Sequence, residues 1–445
     1  MAFSGLYTRP NSMKKILMIS YYFPPIAEVG GLRALGFAEN LPAFGWQPYV
    51  LSVKNPDRSL CKVGSGDGPK DIETFHCRSL FHLNRISWKA NGVLRILLRF
   101  FGVRLQGNIV HELFCLPDEF AGWVLPAYAT GLRIIKQHDV DVIYVSSKPF
   151  SSSMAGVMLK KATGKPLILD FRDPASFPKT LFLDNWAGRI RQRVIGRIER
   201  FILQNADYLL TTTRATKAAY RQRYRFMKDR ISTIYNGYYL PGDSKKVVEP
   251  FDIFTIVYLG NFYYNLVPSD AFFKALRSVV EQGLIPADRI RFLYVGGLRK
   301  RNNWLMKTGL RFGIQHLIQT TGHVSREEAQ DTLMKSSIML LRIVPPMIST
   351  KLFEALRDGV PMLAIIDRGE VEELIRSYST QSLIVTSHRT EDVVNAIVAA
   401  YQRWVDGKLP RKINTMYTDL FNKKALTQEL VEVLNSVSEI QASTR

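Results

Sequence analysis

Short apolar runs alternate with stretches of helical spacing along almost the whole chain. Lys14-Lys15-Ile16-Leu17-Met18-Ile19-Ser20 reads as a buried strand, Ala34 to Phe44 has the spacing of a helix ended by Gly45, and Tyr49 to Val53 is apolar again. Strand, Gly-containing loop, helix and strand make a βαβ opening. The rhythm then continues with a helix near Leu125 to Lys136, an apolar run over Val140 to Val145, a helix over Met154 to Thr163 and a strand at Leu167-Ile168-Leu169. A strongly basic helix over 187–205, a strand over Tyr208 to Thr212, a further helix and the strand Ile231 to Tyr235 complete the first half. Residues 55–75 are polar and contain Gly, which predicts a mobile loop.

Asn236-Gly237 followed by Pro-Gly-Asp and Pro250 marks a linker, after which the rhythm restarts. Strands are predicted at Phe254 to Leu259, Ile290 to Val295, His316 to Thr320 and Ile338 to Leu341, separated by helices near Asp270 to Gln282, Trp304 to Phe312 and Ser325 to Ser336. Ser325 and Glu328 have the spacing of a capping box. The parse is therefore an N-terminal tail over 1–12, an α/β domain over 13–240, a linker over 241–252, a second α/β domain over 253–410, and helices over 411–445. The last of these helices can cross back to the first domain. Two Rossmann-like parallel sheets facing across a cleft are the expected fold class. The strand-like text begins only after Met13, which makes that methionine a candidate start.

At 445 residues the chain is long enough for two domains. Its net charge of +21 favours anionic partners: nucleic acid, an acidic membrane face or phosphorylated substrates. No zinc-finger spacing or RNA-binding signature accompanies the charge, so nucleic acid is not an expected partner. The 3 cysteines, Cys61, Cys77 and Cys115, are too irregularly spaced for a metal site or a disulfide framework and suit a reducing, cytoplasmic setting. No apolar run reaches the roughly 18 to 20 residues that span a bilayer, so a soluble or surface-attached protein is expected.

The most informative chemistry lies between Pro345 and Pro361. Ser349 or Thr350 can cap a short helix carrying Lys351, Leu352 and Glu354, and Asp358-Gly359 closes it. A helix N-terminus together with an ammonium suits a diphosphate, and a carboxylate on the same face, roughly 4.5 Å further along the axis, suits the vicinal hydroxyls of a ribose. An ordinary surface helix with a Lys and Glu pair has the same spacing. Gly30 and Gly31 let backbone approach a ligand at the start of a helix, and Arg33 follows them. Three charged residues, Asp170, Arg172 and Asp173, end a buried strand, which is costly unless they are paired or face a ligand; Asp170 with Arg172 can be a structural pair, leaving Asp173 toward substrate. Asp139 and Asp141 form a D-x-D, but before a strand, and read as a helix-to-strand turn. In the segment Trp88 to Leu105, Arg95 and Arg99 share a helical face among bulky apolar residues. That suits either a helix in a membrane interface or one packed on the domain, with Arg104 on the opposite side.

These residues together resemble glycosyltransferase family 4, retaining enzymes of the GT-B fold. The resemblance rests on Tyr22-Phe23-Pro24-Pro25, Gly30-Gly31-Leu32-Arg33, Asp170-Phe171-Arg172-Asp173-Pro174, Gly260-Asn261-Phe262, and Lys351-Leu352-Phe353-Glu354 with Gly359-Val360-Pro361. It implies transfer of a sugar from a UDP- or GDP-linked donor, held mainly by the second domain, to a glycan or lipid-linked acceptor in cell-surface polysaccharide synthesis. The enzyme would be cytoplasmic, with the inner membrane face as a further partner. Catalytic roles would fall to Asp173, Arg172 and Lys351. Donor contacts would fall to Gly30, Gly31, Arg33, Gly260, Asn261, Gly296, His323, Arg342, Ser349, Thr350, Lys351, Leu352 and Glu354. No metal or other cofactor is expected. Glu354 matches the second glutamate of the family's E-x7-E pattern, whereas the first falls at Pro346. No His follows the strand leading to Phe171, and Asn261 and Tyr263 stand where the family often has an Arg and a Lys. Two rival readings remain: a GT-B-like sugar-nucleotide epimerase, and an inactive membrane-surface scaffold that binds nucleotide-sugar.

Overall fold

The computed structural model of the chain describes residues 13–26, 29–58, 60, 68–102, 107–177, 182–239, 248–262, 270–297, 304–343 and 345–444. The expected tail over 1–12, most of the linker at 241–247, and Cys61, Arg104 and Tyr263 lie outside those residues. The chain divides into two compact units, one of residues 1–235 with 423–445, the other of residues 236–422.

The first unit is built from β1 (Lys14–Ile19), α1 (Val29–Asn40), β2 (Trp46–Val53), β3 (Glu73–Cys77), α2 (Leu83–Phe100), α3 (Ile109–Phe114), α4 (Val124–His138), β4 (Val142–Ser147), α5 (Phe150–Thr163), β5 (Leu167–Phe171), α6 (Trp186–Gln204), β6 (Tyr208–Thr211), α7 (Arg214–Arg223) and β7 (Ile231–Thr233). Its 7 strands form one sheet in the order β3-β2-β1-β4-β5-β6-β7, parallel throughout. Strands covered on both faces must be apolar at nearly every position, and Ile16 to Ile19, Val142 to Val145 and Leu167 to Leu169 are all fully buried. This is why their sequence signal was continuous rather than alternating.

The second unit comprises β8 (Phe254–Leu259), α8 (Asp270–Glu281), β9 (Ile290–Val295), α9 (Trp304–Phe312), β10 (Ile318–Gly322), α10 (Arg326–Lys335), β11 (Ile338–Leu341), α11 (Thr350–Arg357), β12 (Met362–Ile365), α12 (Glu370–Tyr378), β13 (Leu383–Val385), α13 (Thr390–Val405) and α14 (Thr415–Phe421). Its sheet order is β10-β9-β8-β11-β12-β13, again all parallel. Aromatic rings from Phe254, Phe262, Phe272, Phe273, Phe292 and Trp304 dominate its core. Finally α15 (Lys423–Thr444) returns to the first unit and packs along α1, with Leu426, Leu430 and Leu434 buried. The change of unit therefore falls between Asn422 and Lys423, and α14 stays with the second.

Several expectations are corrected. The loop expected over 55–75 ends in an edge strand, β3, which pairs with β2 alone and buries only Cys77, so its residues show no clear apolar alternation. The strand expected over His316 to Thr320 begins as a 3-10 turn, Gln315–Leu317, and pairs only from Ile318. The helix expected from Met154 starts at Phe150, since Ser151, Ser152 and Ser153 are buried helical serines. The elements α3, α12, β13 and α14 are short, 3 to 9 residues, and are not among those predicted from the sequence. Asp139 ends α4 in the left-handed conformation at φ 48°, and Asp141 accepts the Lys15 N–H at 2.7 Å, so both members of the D-x-D are turn residues.

In each sheet the strand order reverses at one place, between β1 and β4 and between β8 and β11. The loops leaving the carboxyl ends of those strands diverge, and such switch points are where open α/β sheets bind ligands.

Candidate active site

In the first unit the switch-point edge is formed by the β1–α1, β4–α5 and β5–α6 connections. Gly31 is obligatory there: a Cβ on it would stand 1.9 Å from the Tyr22 carbonyl oxygen. A Cβ on Gly30 would stand 2.3 Å from Arg172 Nη1, so the Arg172 guanidinium rests on the first turn of α1. Arg172 also donates to the carbonyls of Ser147 at 3.3 Å and Lys148 at 3.1 Å. Lys148 Nζ in turn lies 3.4 Å from Asp173 Oδ2, with both side chains partly exposed. Gly30, Gly31, Arg172 and Asp173 thus share one edge, joined by a residue the sequence did not single out, Lys148.

Below this edge the loop is anchored by a buried carboxylate. Glu199 of α6 accepts from Ser176 Oγ at 2.5 Å, Tyr220 Oη at 2.6 Å, Tyr224 Oη at 2.7 Å and the Ala175 N–H at 3.2 Å. Asp118 does similar work beside α5, accepting from the N–H and hydroxyl of Ser151 and from the Phe120 N–H. Burial pushes its carboxyl up to about 6, the Ser151 hydroxyl opposing.

Arg33 belongs to this scaffold rather than to the exposed edge. It is 3% exposed, with Nε and Nη2 donating to Asp170 at 2.7 and 3.1 Å and Nη1 to the Tyr235 carbonyl at 2.7 Å. Tyr144 Oη donates to the same carboxylate, its own ionisation pushed far above 10, first by burial and then by Asp170. The structural pair expected between Asp170 and Arg172 is therefore Asp170 with Arg33. One helical turn brings Arg33 under the sheet edge while Arg172 projects over it, a distinction that spacing along β5 does not contain.

In the second unit the corresponding edge is built around α11. Ser349 caps it, its hydroxyl accepting the Lys351 N–H at 3.3 Å, and Asp358 and Gly359 end it, the latter at φ 64°. The β8 strand ends at Gly260, with φ 78°, whose Cβ position lies 2.9 Å from Lys351 Nζ. The ammonium therefore lies across the Gly260 turn. Among the described residues it makes no hydrogen bond or ion pair. Burial lowers its pKa from 10.5, with Glu354 opposing.

Glu354 is 19% exposed and accepts from Arg326 Nη2 at 2.7 Å through Oε1. Arg326, at the start of α10, was not foreseen; it lies 28 residues away in sequence, and only the adjacency of α10 and α11 discloses it. Arg342 is nearly buried, stacked 4.1 Å from the centre of the Phe262 ring and donating to its carbonyl at 3.0 Å. It braces the Gly260-Asn261-Phe262 turn, as does Tyr258 Oη, which donates to the Asn261 carbonyl at 2.8 Å. Gly296 packs under this turn, its Cβ position 2.8 Å from the Gly260 oxygen, and the His323 ring lies over Gly297. Leu352 is fully buried, so only its backbone can face a ligand. Gly260, Asn261, Gly296, His323, Arg342, Ser349, Thr350, Lys351 and Glu354 are thus gathered at one sheet edge.

Two all-parallel sheets, each with charged and glycine-bearing loops at its switch point, are the architecture of the GT-B glycosyltransferases. Anabaena HepE, solved in complex with UDP and glucose, superposes with a TM-score of 0.58 at 14% identity, covering 95% of this chain and 100% of that one. Sucrose-phosphate synthase from Thermosynechococcus elongatus gives 0.63 at 15% identity, over 95% and 99%. The lipopolysaccharide outer core galactosyltransferase WaaB gives 0.56 at 12%, also over 95% and 99%. At such identities the likeness is one of fold. Residues 32–240 match the family model Glycosyltransferase Family 4, and residues 253–403 match Glycosyl transferases group 1. The first half of the chain carries the Family 4 match and the second the group 1 match, and the chain is a glycosyltransferase of the GT-B fold. No curated protein matches it.

Proposed function

We propose that the enzyme transfers a glycosyl group from a UDP- or GDP-linked sugar to a glycan or lipid-linked acceptor, with retention at the anomeric carbon and without a metal ion. The observation that carries this reading is the Lys351 ammonium. It is partly desolvated, unpaired among the described residues and held over the Gly260 turn at the start of α11. A charged group in that state gains most from a polyanion, and a diphosphate placed there also meets the positive end of the helix dipole.

Glu354, with one oxygen fixed by Arg326, offers the other to the ribose hydroxyls. As the bond to the sugar breaks, negative charge builds on the leaving phosphate oxygen, and Lys351 stabilises it where a metal ion otherwise would. The acceptor hydroxyl attacks on the face from which the diphosphate departs, and its proton passes to the departing oxygen. In the first unit, Asp173, Lys148 and Arg172 are the groups that can orient an acceptor. The UDP held by HepE favours a uridine donor.

A thermal-shift screen of UDP, GDP and their sugar conjugates tests the reading, because a ligand that binds only the folded state raises the midpoint. A shift with one nucleoside diphosphate, abolished in Lys351→Ala, is expected. No shift with any of them overturns the donor assignment. Full activity in EDTA is the expected result for metal independence, and strict Mg²⁺ dependence overturns it.

A further inference from the structure

The helix α2 is amphipathic the wrong way round. Its inward face buries the polar residues Asn84, Ser87 and Asn91 beside the half-buried Leu94 and Leu98, while its outward face carries Ile86, Val93, Ile96, Leu97 and Phe100. These are large side chains left in water: Ile96 is 60% exposed and Phe100 82%, and Phe101 just beyond the helix is 80% exposed. At 100° per residue the outward apolar positions fall within one arc, with Lys89 inside it. Arg85, Arg95 and Arg99 line one flank of that arc, together with Trp88.

Neighbouring elements extend the surface. The short helix α3 packs on both α2 and α6 and exposes Phe114, 69% accessible. Arg191 of α6 pins it by donating to the carbonyls of His111 and Cys115 at 3.0 and 2.8 Å. On the exposed side of α6, Trp186 and Ile190 accompany Arg189, Arg193 and Arg197, the three arginines spaced four apart.

From this surface we infer that the α2 face docks on an anionic lipid bilayer, with α2 lying in the plane of the interface. Apolar side chains flanked by arginines match the two layers such a surface presents, hydrocarbon below and phosphate at the level of the flank, and Lys89 can snorkel between them. Charge also decides against a second copy of this chain as the occupant, since each copy carries +21 and would bring its arginines against its partner's. No described helix is long and apolar enough to cross a membrane, so the attachment is to one leaflet surface. The inference does not depend on the donor reading, and its test contains no nucleotide.

The test is co-sedimentation of the full chain with vesicles of phosphatidylcholine alone and of phosphatidylcholine mixed with phosphatidylglycerol. The wild type is expected to sediment with the mixed vesicles, less so as salt is raised, and only weakly with the neutral ones. The double variant Ile96→Glu with Phe100→Glu is expected to lose on the order of tenfold or more in partitioning while its melting temperature is unchanged, because neither side chain is buried. Arg99→Glu, which spares the apolar stripe, should lose binding mainly to the mixed vesicles. Equal sedimentation of wild type and double variant overturns the inference. So does absence of vesicle binding, and so does a wild-type dimer that the double variant converts to a monomer without any vesicle binding.

Discussion

Lys351 and Arg33 are both cations next to carboxylates, and their surroundings give them opposite uses. Arg33 spends its donors on Asp170 and the Tyr235 carbonyl inside the core, whereas the Lys351 ammonium is desolvated, feels Glu354 only through space and makes no hydrogen bond or ion pair among the described residues. Lys351→Ala should lower turnover on the order of 10²-fold, and Lys351→Arg should recover part of it; unchanged turnover in the alanine variant would reject its role. Because burial depresses the Lys351 pKa, donor affinity should begin to fall at a lower pH than an ordinary lysine would impose. Titrating nucleotide affinity against pH checks this, and an unshifted profile counts against the assignment. Arg33→Leu should instead cost about 3–5 kcal/mol of stability in urea unfolding, as it leaves the Asp170 carboxylate buried without its partner.

A third residue contributes through pH. The carboxylates of Glu112 and Glu119 lie 3.9 and 3.7 Å from the His111 ring, and they push its pKa up to about 9, against burial and Arg191. A raised pKa means the folded state holds the proton more tightly than the unfolded one. The stabilisation is therefore complete below the ordinary 6.5 and is lost as pH rises through about 9. The melting temperature of the wild type should fall across that window relative to His111→Gln, and parallel curves would remove His111 from the account.

Among the elements, α1 and α2 show how a glycine's neighbours set its tolerance. Gly31→Ala forces a methyl against the Tyr22 carbonyl and should cost about 1–3 kcal/mol by displacing the first turn of α1. Gly92, in the middle of α2, has open space around its Cβ position. There alanine should stabilise by about 0.5–1 kcal/mol through helix propensity. Denaturant midpoints of the two variants check both signs. Arg342 and Phe262, Glu199 and the loop after β5, and Ser349 with Gly359 at the two ends of α11 show a common device. Each switch-point loop is held by a buried polar group below it or a cap beside it.

At the level of the whole molecule, the final helix is part of the first unit's core although it follows the second unit in sequence. Leu430 of α15 is fully buried in the first unit, so Leu430→Ala should cost about 2–5 kcal/mol there. A chain ending at Asn422 should lose the first unit's cooperative transition in calorimetry. If it kept that transition, α15 would be an accessory rather than a component of the core. The charge of +21 is likewise a property of the whole chain. Its arginines are concentrated on α2 and α6 as well as distributed over loops, which charge totals alone do not reveal.

The sequence by itself determined the two parallel sheets, because strands buried on both faces must be apolar runs and the helices between them must show a 3.6-residue period. It also determined the α11 segment, where a cap, a cation, a carboxylate and a closing glycine are local and fall within a dozen residues. Tertiary structure alone decided which charges were spent internally. Arg33 with Asp170 and Arg326 with Glu354 pair across 137 and 28 residues, and no local pattern encodes such a choice. It also decided the orientation of α2, since periodicity gives a helix its apolar stripe but only the packing of Asn84, Ser87 and Asn91 against the domain turns that stripe outward.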